Sequence, residues 1–109
     1  MEILFADKNL RRLCEEERRA KRSLGQAGAR KLRARLADLM AASTVRDLVA
    51  GRPHALKGDR SGHFAIDLDR GRRLVFEPGN EPTPRSSDGG ILWSEVTVVR
   101  ILFIGDYHD

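Results

Sequence analysis

At 109 residues the chain is long enough for one domain, 1–109, with a single modest core. Its 40% hydrophobic and 33% charged residues exclude a disordered tail, and one cysteine excludes an internal disulfide and a thiolate metal site. Twenty Lys+Arg against sixteen Asp+Glu leave a net +4, which favours a polyanionic partner. No apolar run approaches the ~18 residues of a membrane span and no leader precedes the first strand, so the expected location is cytoplasmic, away from membranes.

The segment 2–6 predicts a short first strand. From Asp7 to about Arg22 the spacing is helical, with Leu10, Leu13 and Cys14 on one face; Cys14 reads as a core thiol rather than a nucleophile. Glu15→Arg19 and Glu17→Lys21 have the favourable i,i+4 order of a solvated face. Ser23-Leu24-Gly25-Gln26 breaks the run and offers a Ser-x-x-Gln capping box for a second helix, which turns Leu32, Leu36, Leu39 and Met40 inward. The two helices make a hairpin.

Residues 43–50 predict one further helical turn, closed by Gly51 and Pro53. The period then changes to two. Phe64, Ile66 and Leu68 alternate with His63, Ala65 and Asp67, the pattern of a strand with one buried face. Asp69-Arg70-Gly71 is a hairpin turn, and 72–77 returns as the next strand. The stretch 78–90, rich in Pro, Gly, Ser and Asn, is a loop, with Trp93 a packing anchor below it. Residues 96–104 are apolar on both faces, as expected of a strand covered on each side near the sheet centre. The order is an α+β domain: an N-terminal strand and helical hairpin on a small, mostly antiparallel sheet.

Two segments carry chemistry: Pro53-His54-Ala55-Leu56-Lys57-Gly58-Asp59-Arg60, and the terminal Gly105-Asp106-Tyr107-His108. RNA cleavage through the 2′-OH needs a base near that hydroxyl, cations around the phosphorane and a proton for the 5′-oxygen. His108, Tyr107, His54, Lys57, Arg60 and Arg73 supply imidazole, phenol and cationic groups for these roles without a metal or cofactor. Arg73 and Arg100 sit within strands among apolar residues, where an arginine usually has a partner or ligand. A local Asp59–Arg60 pair is expected to lock its turn, and Arg70 and Arg72 read equally as solvated residues or phosphate contacts.

The segments PHALKGDRSGHFAIDL (53–68), RGRRLVF (70–76) and ILWSEVTVVRILFIGDYH (91–108) resemble the RelE/ParE toxin superfamily of type II toxin–antitoxin modules, and within it the HigB-like group. The resemblance implies a ribosome-dependent endoribonuclease that cleaves mRNA during translation and is silenced by a cognate antitoxin. It matches Asp106, Tyr107 and His108 to the terminal catalytic motif, His54 and Lys57 to active-site positions, and Arg73 to the hairpin arginine. It implies His108 as general base or acid, Tyr107 orienting the substrate, and Asp106 holding their geometry. Lys57, Arg60 and Arg73 would then bind phosphates. Superfamily members differ in the base, some using Lys and Arg in place of a terminal His. ParE-type members poison DNA gyrase instead, and a toxin-like binding protein is a further alternative.

Overall fold

The computed structural model describes residues 1–106; Tyr107, His108 and Asp109 lie outside the described residues. The elements are β1 (Glu2–Phe5), α1 (Lys8–Glu15), α2 (Glu17–Ala41), β2 (His54–Ala55), β3 (Phe64–Asp67), β4 (Arg73–Pro78) and β5 (Val98–Gly105). They form one sheet in the order β1-β5-β4-β3-β2, parallel between β1 and β5 and antiparallel elsewhere. The α+β architecture is the one expected, with the two-residue strand β2 added at an edge.

Asp7 caps α1 by accepting the Leu10 N–H at 2.8 Å. Glu16 then leaves helical geometry (φ −108°, ψ 107°), so the helix expected from Asp7 to Arg22 is interrupted. Inside α2, Gly25 adopts φ 79° and ψ 173°, a left-handed conformation that glycine enters without steric penalty. Glu17 pairs with Arg33 across this point. In a straight helix those residues would stand ~24 Å apart, so the chain folds back at Gly25 and makes the expected hairpin. The reversal is the glycine's own: among the described residues Ser23 makes no capping hydrogen bond.

Leu24, Leu32 and Leu39 of the hairpin pack on Ile66, Leu74, Phe76, Val99 and Ile101 of the sheet. Burying each such side chain is worth about 1.5–3 kcal/mol, which fixes the hairpin to one sheet face. Leu36 packs at the margin of this cluster. Met40 does not turn inward: it is 63% exposed, because it follows Leu39 directly and so lies ~100° further round the helix. The Met1 amino group donates to the carbonyls of Leu39, Met40 and Ala42 at 2.9, 3.0 and 2.7 Å, tying β1 to the end of α2.

The turn expected over 43–50 contracts to a 3-10 turn, Val45–Asp47, whose Asp47 carboxylate accepts the Ser43 and Thr44 N–H groups. In β3 burial is not confined to one face: Phe64, Ala65 and Ile66 are all buried. Ala65 lies between His54 of β2 and Val75 of β4, and these larger neighbours shield its single methyl group. The β3–β4 hairpin closes through the three-residue turn Asp69-Arg70-Gly71, with Arg70 and Gly71 at φ 53° and 75°, the Leu68 N–H donating to the Arg72 carbonyl at 2.7 Å and the Arg72 N–H to the Asp69 carbonyl at 2.9 Å. β5 lies between β1 and β4. Opposite Val75 and Phe76 it carries a bulge at Leu102, which leaves Phe103 36% exposed on a strand expected to be covered on both sides.

Candidate nucleic-acid interface

Side chains alternate across the pleat, so the sheet's second face carries the residues that the helices do not touch. Ala65 and Val75 are buried yet stand outside the cluster packed by the hairpin, and they mark this helix-free face. Around them lie His54 beside Ala65, Asp67 opposite Arg73, Arg73 opposite Gly105, and Phe103 opposite Val75.

Asp67 is the hub. Its Oδ1 lies 3.3 Å from Arg73 Nε and its Oδ2 accepts from Arg52 Nε at 2.9 Å. Arg52 enters this position from a left-handed backbone (φ 49°) just before β2. Its carbonyl sits 2.8 Å from His54 Nδ1. A carbonyl only accepts, so Nδ1 carries the proton and Nε2 of the neutral ring is left as a proton acceptor. Asp106 follows Gly105 at the same end of the sheet, with its Oδ1 4.0 Å from where a Cβ on Gly71 would stand. His54, Arg73 and Asp106, three of the residues singled out in the sequence, therefore share one end of the sheet with Arg52 and Asp67. The sequence reading missed the last two. The signal for Asp67 was available: across the three-residue turn Asp69-Arg70-Gly71, hairpin register places it opposite Arg73.

Lys57 and Arg60 belong to the turn joining β2 to β3, whose 3-10 segment Gly58–Arg60 leads back toward Phe64. Ala55 faces Phe64 whereas Arg73 faces Asp67. Lys57 and Arg73 are thus about five residues, roughly 17 Å, apart along the strand direction at ~3.3 Å per residue. That separation suits contacts to different phosphates of one strand rather than to one phosphate. The turn is held by backbone bonds, Arg60 N–H to the Lys57 carbonyl at 3.3 Å and His63 N–H to the Arg60 carbonyl at 3.0 Å. Asp59 is exposed and, among the described residues, makes no ion pair, so the expected Asp59–Arg60 lock is not what shapes this turn. Tyr107 and His108 fall outside the described residues.

Two further arginines have structural partners. Arg100 pairs with Glu77 at 3.2 Å on the helix-free face. Arg72 is neither solvated nor placed for phosphate: it donates to the Leu24 carbonyl at 2.9 Å and pairs with Asp69 at 3.1 Å. It thereby staples the β-hairpin to the chain reversal at Gly25. Trp93 is a packing residue as expected, its ring 4.8 Å from Phe64 and 6.4 Å from Phe76. Cys14 is half-buried in the hairpin, and desolvation, followed by the nearby Glu15 charge, pushes its thiol up to about 12. It is no nucleophile at neutral pH. Among the described residues, no group of three His, Cys, Asp or Glu side chains is placed to hold a metal ion.

No protein-family model matches the sequence, and no curated protein does. Solved structures do match. A YoeB/ParE toxin from Agrobacterium tumefaciens superposes with TM-score 0.59 at 11% identity, covering 99% of this chain and 100% of its own. A YoeB–YefM complex from Staphylococcus aureus gives TM-score 0.59 at 15% identity, covering 100% of this chain and 98% of that one. A YoeB dimer from the same organism gives 0.56 at 16%, with the same coverage. The chain has the fold of the RelE/ParE-type toxins over its whole length.

Proposed function

We infer that this protein is a toxin of a toxin–antitoxin pair that cleaves mRNA on the translating ribosome. The observation that carries the reading is the helix-free sheet face, where Arg73 and Arg52 flank Asp67 beside an oriented His54 and the strand end leading to Asp106. A pure packing surface has no need of two guanidinium groups and an imidazole with a free Nε2. The hairpin adds attraction for a polyanion: residues 8–35 carry eleven Lys or Arg against three Glu.

In the reaction, the ribose 2′-oxygen bonds to the adjacent phosphorus while the P–O5′ bond breaks, leaving a 2′,3′-cyclic phosphate and a 5′-hydroxyl. The 2′-OH proton passes to an imidazole, and a second proton reaches the departing 5′-oxygen. His108, the terminal imidazole of the family motif, is the assigned proton carrier, with Tyr107 orienting the substrate and Asp106 holding their geometry. His54 Nε2 is the second proton-transfer group. Arg73 faces the charge that develops on the phosphorane, and Lys57 and Arg60 hold flanking phosphates. The ribosome supplies the bent message, so the isolated protein cuts RNA poorly. An antitoxin encoded alongside silences the protein, which acts in the cytoplasm.

The test is induced expression followed by mapping of message 5′ ends. Cuts within reading frames that need translation of the message, and that vanish when a neighbouring open reading frame is co-expressed, are expected. Unchanged messages with gyrase trapped on broken DNA would transfer the protein to the gyrase-poisoning class. His108→Gln and His54→Gln, compared in this assay, separate the two imidazoles. Whichever carries the proton in the slow step loses about 10²–10⁴-fold in rate.

A further inference from the structure

The connection from β4 to β5 is far longer than an antiparallel pair requires, and it has an internal structure of its own. Arg85 bridges to Ile91, the Leu92 N–H donates to the Pro84 carbonyl at 2.9 Å, and the Ser86 N–H to the Gly90 carbonyl at 2.8 Å. The folded loop leans on the turn after β2: a Cβ at Gly62 would stand 3.7 Å from Ile91 Cδ1. Between loop and turn lies a cleft of about 320 Å³, lined among others by Leu56, Ser61, Gly62, Arg85, Gly90 and Trp93.

Its chemistry is specific. Trp93 gives one wall a flat aromatic ring, held in place by its contacts with Phe64 and Phe76. Arg85 Nη1 donates to the Gly89 carbonyl at 2.9 Å, which orients the guanidinium and leaves its other N–H groups for a ligand. The loop carboxylate of Asp88 accepts from the Ser86 hydroxyl and from the Gly90 N–H at 2.9 Å. Among the described residues it makes no ion pair with Arg85, whose side-chain hydrogen bond goes to the Gly89 carbonyl. Exposed Lys57 stands in the same turn as Ser61 and Gly62.

We propose that this cleft binds a guanine base of single-stranded RNA, the base lying on Trp93, Arg85 donating to its O6 and N7, and a neighbouring phosphate reaching Lys57. The proposal rests on the RNA reading above and adds the base class it selects. Unstacked RNA bases are held by aromatic planes and read at their edges. A guanidinium fork matches the two acceptors of guanine; adenine offers a donor at N6, and pyrimidines have no N7.

Trp93 is the only tryptophan, so its fluorescence reports on the cleft without any cleavage. Titration of the intact protein with GMP, AMP, CMP and UMP should show GMP quenching at concentrations about tenfold lower than the others. Arg85→Ala should level the four. Arg85→Gln should shift the preference to AMP, because a carboxamide pairs with adenine N6 and N7. The pentamer UUGUU should bind about tenfold more tightly than GMP, and added salt should erase that gain. Equal quenching by all four nucleotides, or none, overturns the guanine site, and this wild-type comparison decides even where a variant fails to fold. Equal affinity for pentamer and GMP overturns the RNA assignment in favour of a free-nucleotide pocket. The two readings fail separately: guanine binding without message cleavage sinks the nuclease, and message cleavage without base preference sinks the cleft.

Discussion

The two faces of one sheet are built from the same strands and do opposite things. Toward the helices, Ile66, Leu74, Phe76, Val99 and Ile101 are almost wholly buried against leucines, and no charged side chain among the described residues is buried there. Away from them, alternate positions of the same strands hold Asp67, Arg73, Glu77 and Arg100, in ion pairs whose members are each about a third exposed (31% and 32%; 32% and 34%). Pairs of that exposure contribute little to stability, about 0–1 kcal/mol. Folding is carried by one face, which leaves the other free to keep charges, where the phosphates of the proposed RNA substrate would meet them.

Substitutions on the two faces should therefore separate stability from activity. On the helix side, Phe76→Ala removes a fully buried ring and should cost about 3–5 kcal/mol in denaturant melts, with activity falling only as the fold is lost. On the open side, Arg73→Ala should lower the rate of message cleavage by about 10²–10³-fold. Its melt should shift by no more than about 1 kcal/mol, because Asp67 keeps Arg52 as a partner.

An intermediate effect is expected where the two regions are stapled. A Cβ on Gly28 would come within 2.8 Å of Leu24 Cβ and 2.9 Å of Arg72 Nη2. Gly28→Ala should thus displace the Arg72 bond to the Leu24 carbonyl and cost about 1–3 kcal/mol, read in the same melts.

The smallest effect near neutral pH concerns the hairpin thiol. An unfolded chain releases the Cys14 proton near the ordinary 9.0, whereas the folded chain holds it to about 12. Between those values the unfolded state binds fewer protons, so stability should fall as pH rises through that window. Cys14→Ala should flatten the slope in pH-dependent melts. The native thiol should also resist alkylation at pH 8.

Much of this division is readable from the chain. The period-two run at 64–68 and the Arg70–Gly71 turn locate the central hairpin, and the glycine at 25 locates the helical reversal. Features set by tertiary contact are not readable in that way. Glu16 breaks a helix whose local spacing is uninterrupted, and which of the adjacent Leu39 and Met40 turns inward depends on how the hairpin is rotated on the sheet. β2 exists because His54 and Ala55 find the edge of β3, a pairing that two residues cannot advertise. At the site, His54, Arg73 and Asp106 were singled out by residue type and motif. Asp67 was passed over as the polar half of an alternating strand, although its position opposite Arg73 follows from the turn. Arg52 reaches Asp67 through a left-handed backbone at a non-glycine residue, and no sequence pattern announces that conformation.

Single-turnover cleavage of message on programmed ribosomes, run beside thermal melts of wild type, Arg73→Ala and Phe76→Ala, tests the central claim most directly. Arg73→Ala is expected to cut at least 100-fold more slowly while melting like the wild type, and Phe76→Ala to lose rate only in proportion to its unfolded fraction. Wild-type cleavage by a well-folded Arg73→Ala protein would contradict the assignment of the helix-free face as the catalytic surface.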